Sequence, residues 1–336
     1  MTNQPEQLHV VNRLVILGTG GTIAGRANRP GDNVGYLAGQ VSVAELLSAV
    51  PVLNDVPLDV EQVAQLDSKD MGFAVWQALA ARVVFHLERP EVMGIVITHG
   101  TDTVEETAFF LQTVLRPAKP VVLTCAMRPA TALVPDGPQN VSDAVALARL
   151  AGAQGVVVVC AGLVHSAYDV TKVHTYRVDA FDSGDAGPLG CVEEGAVRLF
   201  RPWPAAVRGG VLDAETYARV QAHRVLPRVV LLTSHADADG WVVRALLAQA
   251  RRDPVQPLQG IVVAGTGNGT VHEGLEIALL EAQAQGVSVV RTSRCVHGRV
   301  LAHAGQRLPH VSSLSAIKAR IALALDLLAG PKAAGG

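Results

Sequence analysis

The sequence predicts an α/β protein: a larger N-terminal domain with a mostly parallel sheet flanked by helices, and a smaller C-terminal α/β domain. Three observations lead there. Short β-branched runs alternate with longer stretches of helical period. Those runs are apolar throughout instead of alternating with polar residues, as expected for strands covered on both faces. The pattern then breaks at "RPWPAAVRGG" (201–210), where proline and glycine cluster, and resumes beyond it. A chain of 336 residues that is 49% hydrophobic is enough for one large or two ordinary domains with sizeable cores.

Taken in order, the N-terminal strands are "RLVILG" (13–18), "GIVITHG" (94–100), "PVVLTCA" (120–126) and "GVVVVCAG" (155–162). Between them, 70–87, 104–115 and 140–151 carry apolar positions at helical spacing. After an expected linker at 204–227, "LPRVVLLTS" (226–234), "GIVVAGTG" (260–267) and "GVSVVRTS" (286–293) start a second βα series. It closes with a helix over 315–328 and a frayed tail, "GPKAAGG". The expected domains are therefore 1–203 and 228–336.

Composition excludes several function classes. The formal charge is −2, no Lys/Arg run stands out and aromatics make up 4%, so neither nucleic acid nor an anionic membrane is an expected partner. No apolar stretch reaches the ~18 residues of a membrane span, and the N-terminus reads as a short polar tail entering a strand, not a signal peptide. The four cysteines (Cys125, Cys160, Cys191, Cys295) lack C-x-x-C spacing, which supports neither zinc nor a dithiol motif. Cys125 and Cys160 end apolar runs and read as small buried hydrophobes. A reducing cytoplasm fits this usage, and no metal or cofactor is expected.

The first strand leaves through "GTGGTIAG" (18–25). A dinucleotide fingerprint would place a third glycine where Ile23 stands, and a P-loop would place Lys-Ser/Thr where Arg26-Ala27 stands. Neither phosphate motif is intact. A second loop, within "GIVITHGTDTVEETAFFL" (94–111), also runs strand, glycine, threonines, helix. Thr103-x-x-Glu106 reads as a capping box that starts the helix. Thr101 and Asp102 then lie beyond the carboxyl end of a parallel strand, where open α/β sheets bind ligands; helix capping is the plainer alternative for them. Thr19 and Thr22 hold the matching place after the first strand. A threonine hydroxyl needs a neighbour to take its proton, and Tyr36 and Lys172 are the candidates near these loops. There is no G-x-S-x-G elbow and no H-E-x-x-H. His99 reads as structural, and His165 and His174 are too far apart for a metal-ligand motif.

In this order, "ILGTGGTIAG", "VITHGTDTVEETAFFL", "AMRPA…PDGPQN", "DVTK" and "AGTGNG" resemble the bacterial-type L-asparaginases, including glutaminase-asparaginases, from about residue 12 to 328. The resemblance implies an amidohydrolase that converts L-asparagine to L-aspartate and ammonia through an acyl-enzyme, without metal or cofactor. It also implies a homotetramer of intimate dimers with sites at the subunit interface. Position by position, Thr22 matches the nucleophile and Tyr36 its activating tyrosine, while Thr101, Asp102 and Lys172 match the second catalytic group. Ser68 matches the residue that grips the substrate α-carboxylate, Asp102 the one that takes the α-ammonium, and Asn268 one contributed by the neighbouring subunit. Backbone N–H groups near Thr101 are the expected oxyanion donors.

Two departures stand out. Lys69 replaces the glutamine of periplasmic members, and "CVHGRVLAHAGQRLPHV" (295–311) lacks the partner subunit's acid. Lys69 is therefore expected to repel the substrate ammonium and weaken asparagine binding, or else to turn out to solvent. The periplasmic subgroup's disulfide positions are not cysteines here, which again points to the cytoplasm. An amidase for glutamine, D-asparagine or an N-substituted asparagine is the nearest alternative. A non-catalytic amino-acid-binding protein ranks below it, and an amide-transferring subunit acting on charged tRNA lacks the added domain and basic surface it would need.

Overall fold

The computed structural model describes residues 12–27, 29, 31–204, 213–253 and 255–330. The polar N-terminal tail, the tail beyond Gly330 and residues 205–212 of the expected linker lie outside the described residues. The chain divides into two compact units: Met1–Asp182 with Pro188–Asp213, and Ser183–Gly187 with Ala214–Gly336.

The first unit runs β1 (Arg13–Gly20), β2 (Arg26–Ala27), β3 (Tyr36–Leu37), α1 (Val43–Ser48), β4 (Leu58–Leu66), α2 (Phe73–Leu87), β5 (Val92–Thr98) and α3 (Val104–Leu115). It continues through β6 (Pro120–Thr124), α4 (Gly137–Ala148), β7 (Gly155–Cys160), β8 (Leu163–Ser166), β9 (Thr171–Lys172), β10 (Phe181–Asp182), β11 (Gly190–Glu193) and β12 (Ala196–Leu199). Eight strands form one sheet in the order β12-β11-β8-β7-β6-β5-β1-β4. From β4 to β7 all neighbours are parallel; β8, β11 and β12 extend the sheet antiparallel. The chain leaves β1 for β4 on one side and returns to β5 on the other, so the strand order reverses at β1. Open α/β sheets bind ligands at the carboxyl ends of strands flanking such a reversal.

Burial on both faces explains why the strands read as continuous apolar runs. Leu14, Ile16, Val96, Val122, Val157 and Val159 join one core with residues of α1 and α4. Their alternates Val15, Leu17, Ile95, Ile97, Val121 and Val158 are fully buried on the opposite face, the side contacted by α2 and α3. Two helix starts differ from expectation. Residues Ser68–Asp70 form a separate 3-10 turn, so α2 begins at Phe73. Helix α4 begins at Gly137, because Pro138 suits a first helical turn, where a missing N–H costs no hydrogen bond.

The second unit contains α5 (Ala214–Ala222), β13 (Arg228–Thr233), α6 (Trp241–Ala250), β14 (Leu258–Gly265), α7 (Glu273–Ala284), β15 (Ser288–Ser293) and α8 (Ala316–Leu328). Its parallel sheet has the order β13-β14-β15. Ile261 and Val263 pack with α6 and α7, while Val262 packs with α8 on the other face. Ser315 caps α8 by accepting from the Lys318 N–H. Helix α5 falls inside the segment expected as a linker. Among the described residues no helix is long and apolar enough to cross a membrane.

Candidate active site

Strands β4, β1 and β5 are neighbours, and the residues that follow them meet. Gly20 and Gly21 adopt φ of +102° and +83°, a region that disfavours side chains. A Cβ on Gly20 would strike the Leu66 backbone, one on Gly21 the Gly100 backbone, and one on Gly100 the Ser68 side chain. The glycines therefore let three loop backbones lie against one another. That is a packing role.

Thr22 follows in a one-turn 3-10 helix over Thr22–Ala24 and is buried. Its Oγ1 lies 2.6 Å from Tyr36 Oη. The small β2–β3 ladder, in which Ala27 pairs with Tyr36, turns the ring back over the loop. Gly25 leaves room for it: a Cβ there would sit 2.8 Å from a ring carbon. Thr19, grouped with Thr22 on sequence grounds, is different. It lies within β1 and donates to the Thr98 carbonyl at 2.9 Å, cross-linking β1 to β5.

Beyond β5, Thr101 is buried and accepts a 2.8 Å hydrogen bond from Lys172 Nζ. The same ammonium pairs with Asp102 Oδ1 at 2.7 Å. Lys172 stands on β9 opposite Phe181 of β10. Its side chain is mostly covered (18% exposed), whereas that of Asp102 is 52% exposed, so the carboxylate faces the open side of the cluster. Ser68 is buried, and its Oγ accepts from the Asp102 N–H at 3.2 Å.

The Thr103 side-chain half of the expected capping box does not form. Thr103 makes no side-chain cap bond; its hydroxyl instead donates to the Ser68 carbonyl at 2.7 Å, fastening the turn after β4 to the loop after β5. Lys69, the next residue of that turn, makes its ion pairs within the turn itself. Its ammonium binds Asp67 at 2.6 Å and Asp70 at 3.3 Å with 61% of the side chain exposed. The hydrogen bond it donates to Asp67 raises its pKa from the ordinary lysine value.

His99 lies beneath this loop, fully buried, and its donor pattern can be assigned. Nδ1 is 2.8 Å from the Gly100 carbonyl, which can only accept, so Nδ1 carries the proton. Nε2 then accepts from the Thr107 hydroxyl at 2.9 Å, whose oxygen accepts from Trp76 Nε1–H, also at 2.9 Å. Burial pushes the imidazole pKa down to about 4, so the ring is neutral. His99 supports the loop and is structural, as its sequence context indicates. The roles of Trp76, Thr103 and Thr107 are invisible in sequence, because each depends on a contact between separate elements.

Asn268 belongs to the second unit, in the turn after β14. Its side-chain amide donates to the Leu301 carbonyl at 3.0 Å and accepts from the Leu301 N–H at 2.7 Å, clasping the segment beyond β15. Cys125, Cys160 and Cys191 are buried, and Cys295 is exposed; all four are free thiols. Among the described residues no group of three or more His, Cys, Asp or Glu side chains is placed to hold a metal ion.

Comparison with known proteins assigns this architecture. Residues 13–205 match the family model "Asparaginase, N-terminal", and residues 228–334 match "Glutaminase/Asparaginase C-terminal domain". The chain is 37% identical to L-asparaginase 2 of Escherichia coli over 288 residues, 85% of this chain and 78% of that protein. It is 38% identical to the glutaminase-asparaginase of Acinetobacter glutaminasificans over 300 residues, 88% and 87% of the two chains. A crystal structure described as a probable cytoplasmic L-asparaginase from Campylobacter jejuni superposes with a TM-score of 0.84 at 38% identity, covering 94% of this chain and 95% of that one. The protein is thus a hydrolase acting on amides. It belongs to the asparaginase family.

Proposed function

We propose that this enzyme hydrolyses L-asparagine to L-aspartate and ammonia through a threonine-bound acyl-enzyme. The observation that supports this most is the pair of threonines on neighbouring strand ends, each with its own proton partner: Thr22 with Tyr36 at 2.6 Å and Thr101 with Lys172 at 2.8 Å. Thr22 Oγ1 attacks the side-chain amide carbon and passes its proton toward Tyr36 as the C–O bond forms. The C–N bond then breaks, and the nitrogen leaves as ammonia after taking up a proton. Water held at Thr101 adds to the ester carbon and gives up a proton to the Thr101–Lys172–Asp102 group, in which the Asp102 carboxylate is the acceptor; the C–O bond to Thr22 breaks, Thr22 takes a proton back from Tyr36 and aspartate leaves. Backbone N–H groups near Thr101 hold the developing oxyanion. Ser68 and Asp102 receive the substrate's α-carboxylate and α-ammonium, and neither a metal nor a cofactor takes part.

Glutamine is the second substrate to test, since relatives of similar identity are named glutaminase-asparaginases. We assign the enzyme to the cytoplasm and to a homotetramer in which Asn268 completes a neighbouring subunit's site. Ammonia release from asparagine, glutamine, D-asparagine and an N-substituted asparagine, with Thr22→Ala as control, tests the reaction. Release from none of them sinks the reading. Sedimentation that finds a fully active monomer sinks the assembly.

A further inference from the structure

The Tyr36 phenol reaches Thr22 from a ladder of only two residues per strand, β2 with β3. A ribbon that short does not hold its own geometry in water. Its stability must come from what it rests on, and part of that is the loop between β6 and α4.

That loop is braced at its base. Asp136 accepts from the backbone N–H groups of Met127 at 2.9 Å and Arg128 at 3.0 Å. Arg128 Nη1 donates back to the Val134 carbonyl at 3.1 Å, and Asn140 of α4 donates to the Cys125 carbonyl at 2.9 Å. From this frame two bonds reach the ladder. The Ala130 N–H donates to the Gly25 carbonyl at 3.1 Å, and the Ala27 N–H donates to Thr131 Oγ1 at 2.9 Å. Ala27 is the residue opposite Tyr36 in the ladder, so the Thr131 hydroxyl fixes the strand that aims the phenol. A third tie, the ion pair of Arg26 with Glu45, is exposed and screened by solvent.

We propose that Thr131 is a positioning residue for the amide hydrolysis: its hydroxyl latches the Tyr36 ladder to the loop after β6 and so sets the Thr22–Tyr36 distance. The inference rests on the reading of Tyr36 as the proton partner of Thr22. It predicts an effect transmitted through Tyr36, separate from any general loss of stability.

Removing the acceptor with Thr131→Val leaves the Ala130–Gly25 bond intact and isolates one side chain. Small misplacements of a reacting group are costly. Asparagine turnover should fall by about tenfold in kcat, with KM changed less than about twofold, while Thr131→Ser keeps the rate. Amide hydrogen exchange at Ala27 should quicken in the valine variant, a readout independent of activity. Thr131→Ala serves the same purpose if the valine variant fails to fold. The deciding measurement is the cycle with Tyr36→Phe. If Thr131 acts through the phenol, Thr131→Val costs less than about twofold in the Tyr36→Phe background. An equal cost in both backgrounds, or wild-type kcat in Thr131→Val, overturns the proposal while Tyr36 keeps its role. Wild-type turnover in Tyr36→Phe alone would instead sink the reading of Tyr36 and the latch with it.

Discussion

The ammonium of Lys69 lies 2.6 Å from the Asp67 carboxylate, in a turn that Asp67 also caps by accepting from the Lys69 N–H. Asp70 approaches the same ammonium from the other side of the turn. A charge held this way does not project over Ser68 toward a bound amino acid, and of the two expected orientations of Lys69 the outward one is found.

Lys69→Gln is accordingly predicted to leave KM for asparagine within about twofold of wild type, since an exposed pair of this kind contributes little to binding nearby. Steady-state kinetics at low ionic strength, where a repulsive charge acts most strongly, checks it. A several-fold fall in KM would mean that the ammonium reaches the substrate.

Thr22→Ala should lower kcat by at least about 10³-fold, the scale on which removing a nucleophile acts. The fold should stay intact, because the partner of the buried hydroxyl, Tyr36, lies at a half-exposed position where water can replace it. Circular dichroism and ammonia release on the same sample test both halves. Thr101→Val should be severely impaired as well, because Lys172 loses the hydroxyl it binds at 2.8 Å.

Thr103→Val removes the bond to the Ser68 carbonyl and should raise KM several-fold with a smaller change in kcat, because it loosens the substrate's α-carboxylate end and leaves the reacting amide alone. A stability loss of about 1 kcal/mol accompanies it, readable as a lower urea midpoint. An unchanged KM would detach Ser68 from substrate binding.

His99 gives a pH prediction. Its folded-state pKa of about 4 lies below the ordinary histidine value of 6.5, so the unfolded chain binds a proton that the folded one refuses. The stability linked to this ring is full above pH 6.5 and is lost as pH falls toward 4, about 3 kcal/mol over that window. Urea midpoints at pH 7 and pH 4.5 should differ more for wild type than for His99→Gln. Equal pH dependence in the two proteins would place the titration elsewhere.

The strands of both sheets were legible because burial on two faces leaves no polar residue to interrupt runs such as Val156–Val159. Thr22, Thr101 and Lys172 could be singled out through their motifs, and neighbouring strand ends of a parallel sheet bring the two threonine-bearing loops side by side. What could not be read is whatever depends on a partner remote in sequence. Thr103 serves Ser68, 35 residues away, rather than its own helix. Thr19 serves Thr98 at a separation of 79. Lys69 turns outward because carboxylates stand on both sides of it in the same turn, a local cue that the pattern "DSKD" does contain.

The contact of Gly21 with Gly100, and of Gly100 with Ser68, carries a consequence for redesign. Three loop segments share one clearance set by hydrogen atoms, so none can be shifted without moving the other two. Libraries that randomise these glycines should return almost no active clones.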